Sequence, residues 1–539
     1  MPLINYPLPS VFGLPSKFQQ WRTEQLQAIQ ATSQAQGRFT AHALPTGSGK
    51  SLAAMAVAQM MGWRVVYLTS TKGLQRQLEE DFGGSGGLVD IRGQGNYRCR
   101  LMNDDDFTGA CDHGPCHAGY LCQYRFGGGC SYFDAVGRAK HARSVVTNYK
   151  YWVMVNKYAE TVGVTKEGEP KGPPLGKFDL LVLDECHNAP DELSESLSFS
   201  IHKHETEGLL GMAAPWATEN VDHWRDWADP AAVRAEALMI DLSNQVRFDH
   251  YSPARRAFKQ IKDLKRKLDD LAECQGQWVA NMKRTNEITF APVWPSHYKH
   301  SLFLDVPRVM LLSATVRPKT ADLLGIKSTE LEFYEYDSSF PVNFRPVIHI
   351  PTVRMNNRTN DDELRLWLTR IDQIIKGRLD RKGIIHTVSY DRRNLVVKNS
   401  KYANCMISHD SSNTSSIVGL FKRAAPPAVL VSPSVSTGWD FPYDQCRYQI
   451  IGKLAFIDTR DKIAKARCAA DDEYSPYIAA QELVQMCGRG MRSVDDFCES
   501  LIIDDNIRWF IKRYKHFFAR WFLQSYSSVR TVPDPPRLK

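Results

Sequence analysis

The segment Leu44-Pro45-Thr46-Gly47-Ser48-Gly49-Lys50-Ser51 joins 38–44, which reads as a buried strand, to Lys50–Met61, which carries helical spacing. A glycine-rich turn between a strand and a helix is the context that a phosphate-binding loop requires. Gly47 and Gly49, with Pro45, Thr46 and Ser48 around them, let the backbone curl its amides about phosphate oxygens, and the helix N-terminus adds positive potential. Lys50 is then expected to reach the β/γ oxygens and Ser51 to offer its hydroxyl to Mg2+. Leu44 stands where the general pattern has glycine. The expectation is an α/β domain with a parallel sheet and an ATP site.

A second apolar run, Leu180-Leu181-Val182-Leu183, ends in Asp184-Glu185-Cys186-His187. In a parallel sheet that strand end lies beside the loop. Asp184 suits the Mg2+ shell, and Glu185 can polarise a water aimed at the γ-phosphate. Further along, Gln485, Arg489 and Arg492 recur at helical spacing. The two arginines fall on one helix face, where they can stabilise charge on a transferring phosphoryl group. An isolated pair of this kind would read as surface salt bridges; with a phosphate loop upstream it is not isolated.

At 539 residues the chain is too long for one hydrophobic core, and three or four domains are expected. Strand and helix patterns alternate twice, first with strands at 38–44, 63–70 and 178–183, then at 383–387, Ala428–Ser432 and 500–503. Between them, 255–271 places Phe258, Ile261, Leu264, Leu268 and Leu271 at helical spacing among many lysines and arginines. Met1 to Pro15 is broken by four prolines and lacks a positively charged start, and no stretch reads as a membrane span. A soluble, cytoplasmic protein without a membrane partner is expected. The net charge of +8 is compatible with a phosphate backbone as partner but is diffuse.

Of the 12 cysteines, Cys99, Cys111, Cys116, Cys122 and Cys130 crowd into one short glycine-rich segment. From Gly83 to Cys130 no helical or strand period is sustained, so something other than a core is needed to order it. A cluster of four iron and four sulfur atoms needs four thiolates, leaving one thiol surplus. Composition alone favours zinc held by four thiolates, since zinc tolerates many such spacings.

The blocks taken together resemble the superfamily 2 helicases, and within them the iron–sulfur branch of DinG and XPD. Arg22-Thr23-Glu24-Gln25 resembles the adenine-reading motif, with Gln25 as the reader. Leu68-Thr69-Ser70-Thr71 resembles a motif that touches the nucleic-acid backbone, and Ser313-Ala314-Thr315 the one that couples hydrolysis to domain movement. Val435-Ser436-Thr437-Gly438-Trp439-Asp440 resembles the fifth motif, placing Gly438 and Asp440 at the nucleotide. Gln485-Met486-Cys487-Gly488-Arg489-Gly490-Met491-Arg492 resembles the sixth. Asn96-Tyr97-Arg98-Cys99 and Cys130-Ser131-Tyr132-Phe133-Asp134-Ala135 resemble the first and last cluster ligands with their surroundings.

The resemblance implies two RecA-like parallel-sheet motor domains. The first would comprise 1–86, 136–190 and 301–325, interrupted by an iron–sulfur insert at 87–135 and a helical arch at 191–300. The second would span 326–539. It implies a 4Fe-4S cluster on Cys99, Cys116, Cys122 and Cys130, with Cys111 competing for one of the middle places. It further implies ATP-driven, 5′ to 3′ movement on single-stranded and forked DNA. A translocase that does not separate strands and an ATP-gated DNA-binding switch are the rival readings; Glu185, Arg489 and Arg492 weigh against a pure switch.

Overall fold

A computed structural model describes residues 6–84, 87–102, 109–118, 120–157, 174–248, 253–435, 439–491 and 495–537. In chain order its strands are β1 (Phe39–Ala43), β2 (Val65–Thr69), β3 (Leu88–Asp90), β4 (Ser144–Asn148), β5 (Leu180–Asp184), β6 (Phe199–His202), β7 (Trp278–Arg284), β8 (Glu287–Pro292), β9 (Arg308–Ser313), β10 (Leu331–Glu335), β11 (Val347–Val353), β12 (Lys382–His386), β13 (Met406–Ser408), β14 (Ala428–Ser432), β15 (Tyr448–Ile451), β16 (Glu499–Asp504) and β17 (Tyr526–Ser528).

They form two parallel seven-stranded sheets, ordered β10-β1-β9-β5-β2-β4-β3 and β13-β14-β12-β15-β16-β11-β17. Strands β1, β2, β5, β12 and β14 are buried at every residue, because helices cover both faces. That is why β2, β5 and β14 read as nearly continuous apolar runs rather than alternating ones. Each fully buried aliphatic side chain there contributes about 1.5–3 kcal/mol. The fold is two RecA-like α/β lobes.

Between β5 and β9 the chain builds a separate unit. Helices Val221–Phe248 and Ala254–Ala272 pack against each other, and the second turns Phe258, Ile261, Leu264, Leu268 and Leu271 inward. Beneath them lies an antiparallel sheet, β6-β8-β7, with Trp224 fully buried against Trp216, Trp227 and Phe290. The unit is therefore mixed and not purely helical.

Two boundaries drawn from the sequence need correction. Leu88–Asp90 pairs with β4 and so belongs to the first sheet, not to the cysteine insert. Leu331–Glu335 pairs with β1, so the first sheet runs past residue 325. Both strands are short, and β10 is only half-buried along its length, so neither leaves an apolar pattern to read.

Candidate active site between two lobes

The phosphate loop is shaped by its glycines. Gly47 and Gly49 both adopt φ of 76°, a left-handed conformation that a side chain would strain, and Gly49 caps the helix Lys50–Met61. Gln25 clamps the loop from the helix Thr23–Gln34: its Nε2 donates to the Ser48 carbonyl at 2.7 Å, and its Oε1 accepts from the Arg22 amide at 2.9 Å. Arg22 in turn donates to the Gly47 carbonyl. The Ser51 hydroxyl accepts from Tyr67 at 3.1 Å, whereas the buried Ser48 hydroxyl has no partner among the described residues.

Strand β5 delivers the acidic pair to this loop. Tyr149 donates to the Asp184 carbonyl at 2.9 Å, and Glu185 turns away from the strand with φ of 44°. Lys50 Nζ stands 3.3 Å from Glu185 Oε1. Burial and the charge of Glu185 push Asp184 up to about 7. Burial also opposes ionisation of Glu185, but Lys50, His187 and Arg489 overcome it and hold the carboxyl well below its usual range. Glu185 is thus the stronger acid of the pair. Burial lowers His187 to about 4, and this neutral ring hydrogen-bonds Ser313 Oγ at 2.7 Å.

The second lobe closes on the same place. The helix Tyr474–Cys487 brings Gln485 Nε2 to 3.2 Å from Thr315 Oγ1 and 3.5 Å from His187. Arg489 donates to Gln485 Oε1 at 3.4 Å and to the Trp439 carbonyl at 3.2 Å, and lies 3.7 Å from Asp440. A Cβ on Gly488 would meet Thr46 Oγ1 at 2.8 Å, so the two lobes touch at the phosphate loop itself. Gln25, Thr46, Lys50, Ser51, Asp184, Glu185, Gln485 and Arg489 therefore converge, with Asp440 attached through Arg489. Gly438 and Arg492 lie outside the described residues.

Tyr67, Tyr149 and Arg467 carried no quoted motif, and His187 stood in one without an assigned role. Tyr67 and Tyr149 support Ser51 and Asp184 from behind, and His187 links Glu185 to Ser313. Arg467, nearly buried, crosses from the second lobe to Asp191 at 2.7 Å, Ser194 at 3.1 Å and the Val293 carbonyl at 2.7 Å. Within a single sequence only their place beside quoted motifs could have drawn attention to them.

Away from this cleft, Cys99, Cys111, Cys116, Cys122 and Cys130 all line one small cavity with Tyr132 and Phe133. A Cβ on Gly114 would lie 3.5 Å from Cys99 Sγ and 3.6 Å from Cys116 Sγ, so glycine there leaves room between two thiols. Cys111 hydrogen-bonds Cys99, which lowers the Cys99 thiol to about 6. Among the described residues, no three His, Cys, Asp or Glu side chains are arranged as a metal site.

Residues 18–215 match the family model of the type III restriction enzyme res subunit, and residues 378–525 that of the helicase C-terminal domain. Among solved structures, one titled XPD helicase is similar with a TM-score of 0.60 at 13% identity, covering 95% of this chain and 100% of that one. Xpd4 of S. tokodaii has a TM-score of 0.59 at 11% identity, covering 94% and 100%. No curated protein sequence matches. The two matched segments, one in each RecA-like lobe, support an ATP-hydrolysing helicase. In fold the chain is similar to those XPD structures.

Among the described residues, no helix is long and apolar enough to cross a membrane.

Proposed function

We propose that the protein is an ATP-dependent DNA helicase of the cytoplasm that moves 5′ to 3′ on single-stranded DNA and parts forked duplexes. The observation that carries the reading is a catalytic set divided between lobes: Lys50 and Glu185 on one, Gln485 and Arg489 on the other, joined through Thr315 and His187. Pro45, Thr46, Gly47, Ser48 and Gly49 would cradle the phosphates, with Lys50 on the β/γ oxygens. Ser51 and Asp184 would hold Mg2+, and Glu185 would orient the attacking water. Arg489 and Arg492 would stabilise the transferring phosphoryl group, and Gln25, Gly438 and Asp440 would complete the nucleotide pocket. A site shared between lobes opens and closes with turnover, which converts hydrolysis into steps along a strand.

The thiol cavity fits a 4Fe-4S cluster by its donor chemistry, since five cysteines face one space. Cys99, Cys116, Cys122 and Cys130 would hold it, with Cys111 the surplus thiol. Bound there, the cluster would crosslink a segment that has little core of its own.

The test is displacement of a labelled strand from a forked DNA duplex, run beside ATP turnover with and without single-stranded DNA. Stimulated turnover with strand displacement supports the reading. Stimulated turnover without displacement indicates a translocase, and negligible turnover a binding switch.

A further inference from the structure

Four side chains on the second lobe recur at intervals of four residues: Tyr477, Gln481, Gln485 and Arg489. Spacing of this kind puts the first three on one face of the helix Tyr474–Cys487, and that face is turned to the first lobe. Tyr477 OH lies 2.6 Å from Thr320 Oγ1, and Gln485 meets Thr315 Oγ1 and His187. Gln481 sits between them, buried, and its Nε2 donates to the Thr315 backbone carbonyl at 2.6 Å. Thr315 Oγ1 is 3.2 Å from Ser313 Oγ, and Ser313 holds His187 beside Glu185. Through Thr315, Gln481 is thus linked to Ser313, His187 and Glu185.

We infer that Gln481 is a positioning residue that ties the 313–315 segment to the second lobe, so that a change at the ATP site is passed on as movement of that lobe. Its own bonding points to a seam with two arrangements. Gln481 Oε1 is buried with no partner among the described residues, and so is Nε of Arg317, two residues beyond Thr315. An open acceptor on one lobe and an open donor on the other are costly in a fixed interface, and they provide for a second pairing when the lobes shift. Gln485, which carries a quoted motif, does not account for this: its contacts are to side chains, whereas Gln481 grips the backbone.

The inference rests on the helicase reading. Gln481→Met keeps the volume and removes both hydrogen-bonding groups; Gln481→Glu keeps the shape and loses the donor. In both, turnover stimulated by single-stranded DNA should fall about tenfold, the scale of a typical coupling between sites. The KM for ATP and turnover without DNA should stay within about twofold of wild type. Equal stimulation in a folded Gln481→Met or Gln481→Glu protein overturns the inference while leaving the helicase reading intact. A raised KM with unchanged stimulated turnover also overturns it, by making Gln481 a binding group. If the wild-type protein is itself not stimulated by DNA, the helicase reading falls, and this inference with it.

Discussion

Lys50 Nζ and Glu185 Oε1 are 3.3 Å apart, a contact between the phosphate loop and the end of the acidic strand that joins the two halves of the first lobe's chemistry. The lysine helps to hold the glutamate ionised, and in the proposed reading it would also face the phosphates. Lys50→Ala is therefore expected to abolish ATP hydrolysis on two counts while leaving the fold intact. Turnover measured beside an unchanged unfolding temperature checks this; undiminished hydrolysis would reject the site.

Arg489→Ala should bind ATP nearly as well as wild type and hydrolyse it about a thousandfold more slowly, the scale of an arginine finger. The arginine's listening post is Glu185, whose acidity responds to its charge across the cleft. Equilibrium binding of a fluorescent ATP analogue, set beside single-turnover hydrolysis, separates the effects. Loss of affinity with an unchanged chemical step would make it a binding residue.

Protein purified without oxygen should be brown and contain iron and acid-labile sulfide in equal amounts. Cys99→Ser or Cys130→Ser should bleach it and stop strand separation while part of the ATP turnover persists, because the catalytic residues lie outside the cavity. Cys111→Ser should keep its colour. Since Cys111 bonds Cys99, a Cys111→Ser protein that loses its metal while Cys116→Ser or Cys122→Ser retains it would reassign the ligands. Zinc in a colourless protein would replace the cofactor.

Arg378 and Glu499 form a fully buried two-bond pair, at 2.6 and 2.9 Å, beneath the second sheet. Arg378→Met strands the carboxylate and should cost about 3–5 kcal/mol, whereas Arg378→Met with Glu499→Leu should recover most of that loss. Urea unfolding followed by the second lobe's tryptophans gives both values. A single variant as stable as wild type would mean that the pair is solvated.

Burial depresses His42 to about 3 and His386 to about 4, from an ordinary 6.5. A depressed histidine stabilises the fold fully above 6.5 and loses that contribution as pH falls towards the folded value. At pH 5 each is expected to cost about 2 kcal/mol through protonation of the unfolded chain. Unfolding midpoints between pH 7.5 and 5 should therefore fall, and His386→Gln should flatten the slope. An unchanged slope would place that histidine in contact with water.

The most legible parts were those where one physical demand acts alone. The helix Lys50–Met61 ends where its spacing predicts, since Gly62 caps it. Strands β2, β5 and β14 announced themselves as apolar runs, whereas β15, equally buried, was not read. Strand β10 did not, because Glu332 and Tyr334 serve the edge of the sheet and interrupt its pattern. Within the site, the loop and the acidic pair were readable because their chemistry fixes residue type. The supports, Tyr67, Tyr149 and Arg467, were not, because any element that reaches the spot could supply a hydroxyl or a guanidinium.

Strand β1 lies between β9 and β10, and both of those are encoded after the two insertions. The strand that leads into the phosphate loop therefore leaves the ribosome well before its neighbours and has nothing to pair with until Arg308 and the residues after it have followed. Strands β2, β4 and β5 can assemble earlier, so the nucleotide pocket should be the last part of its lobe to mature. Pulse-labelled nascent chains stalled before residue 308 would then be protease-sensitive at the loop, with the rest of the sheet already protected.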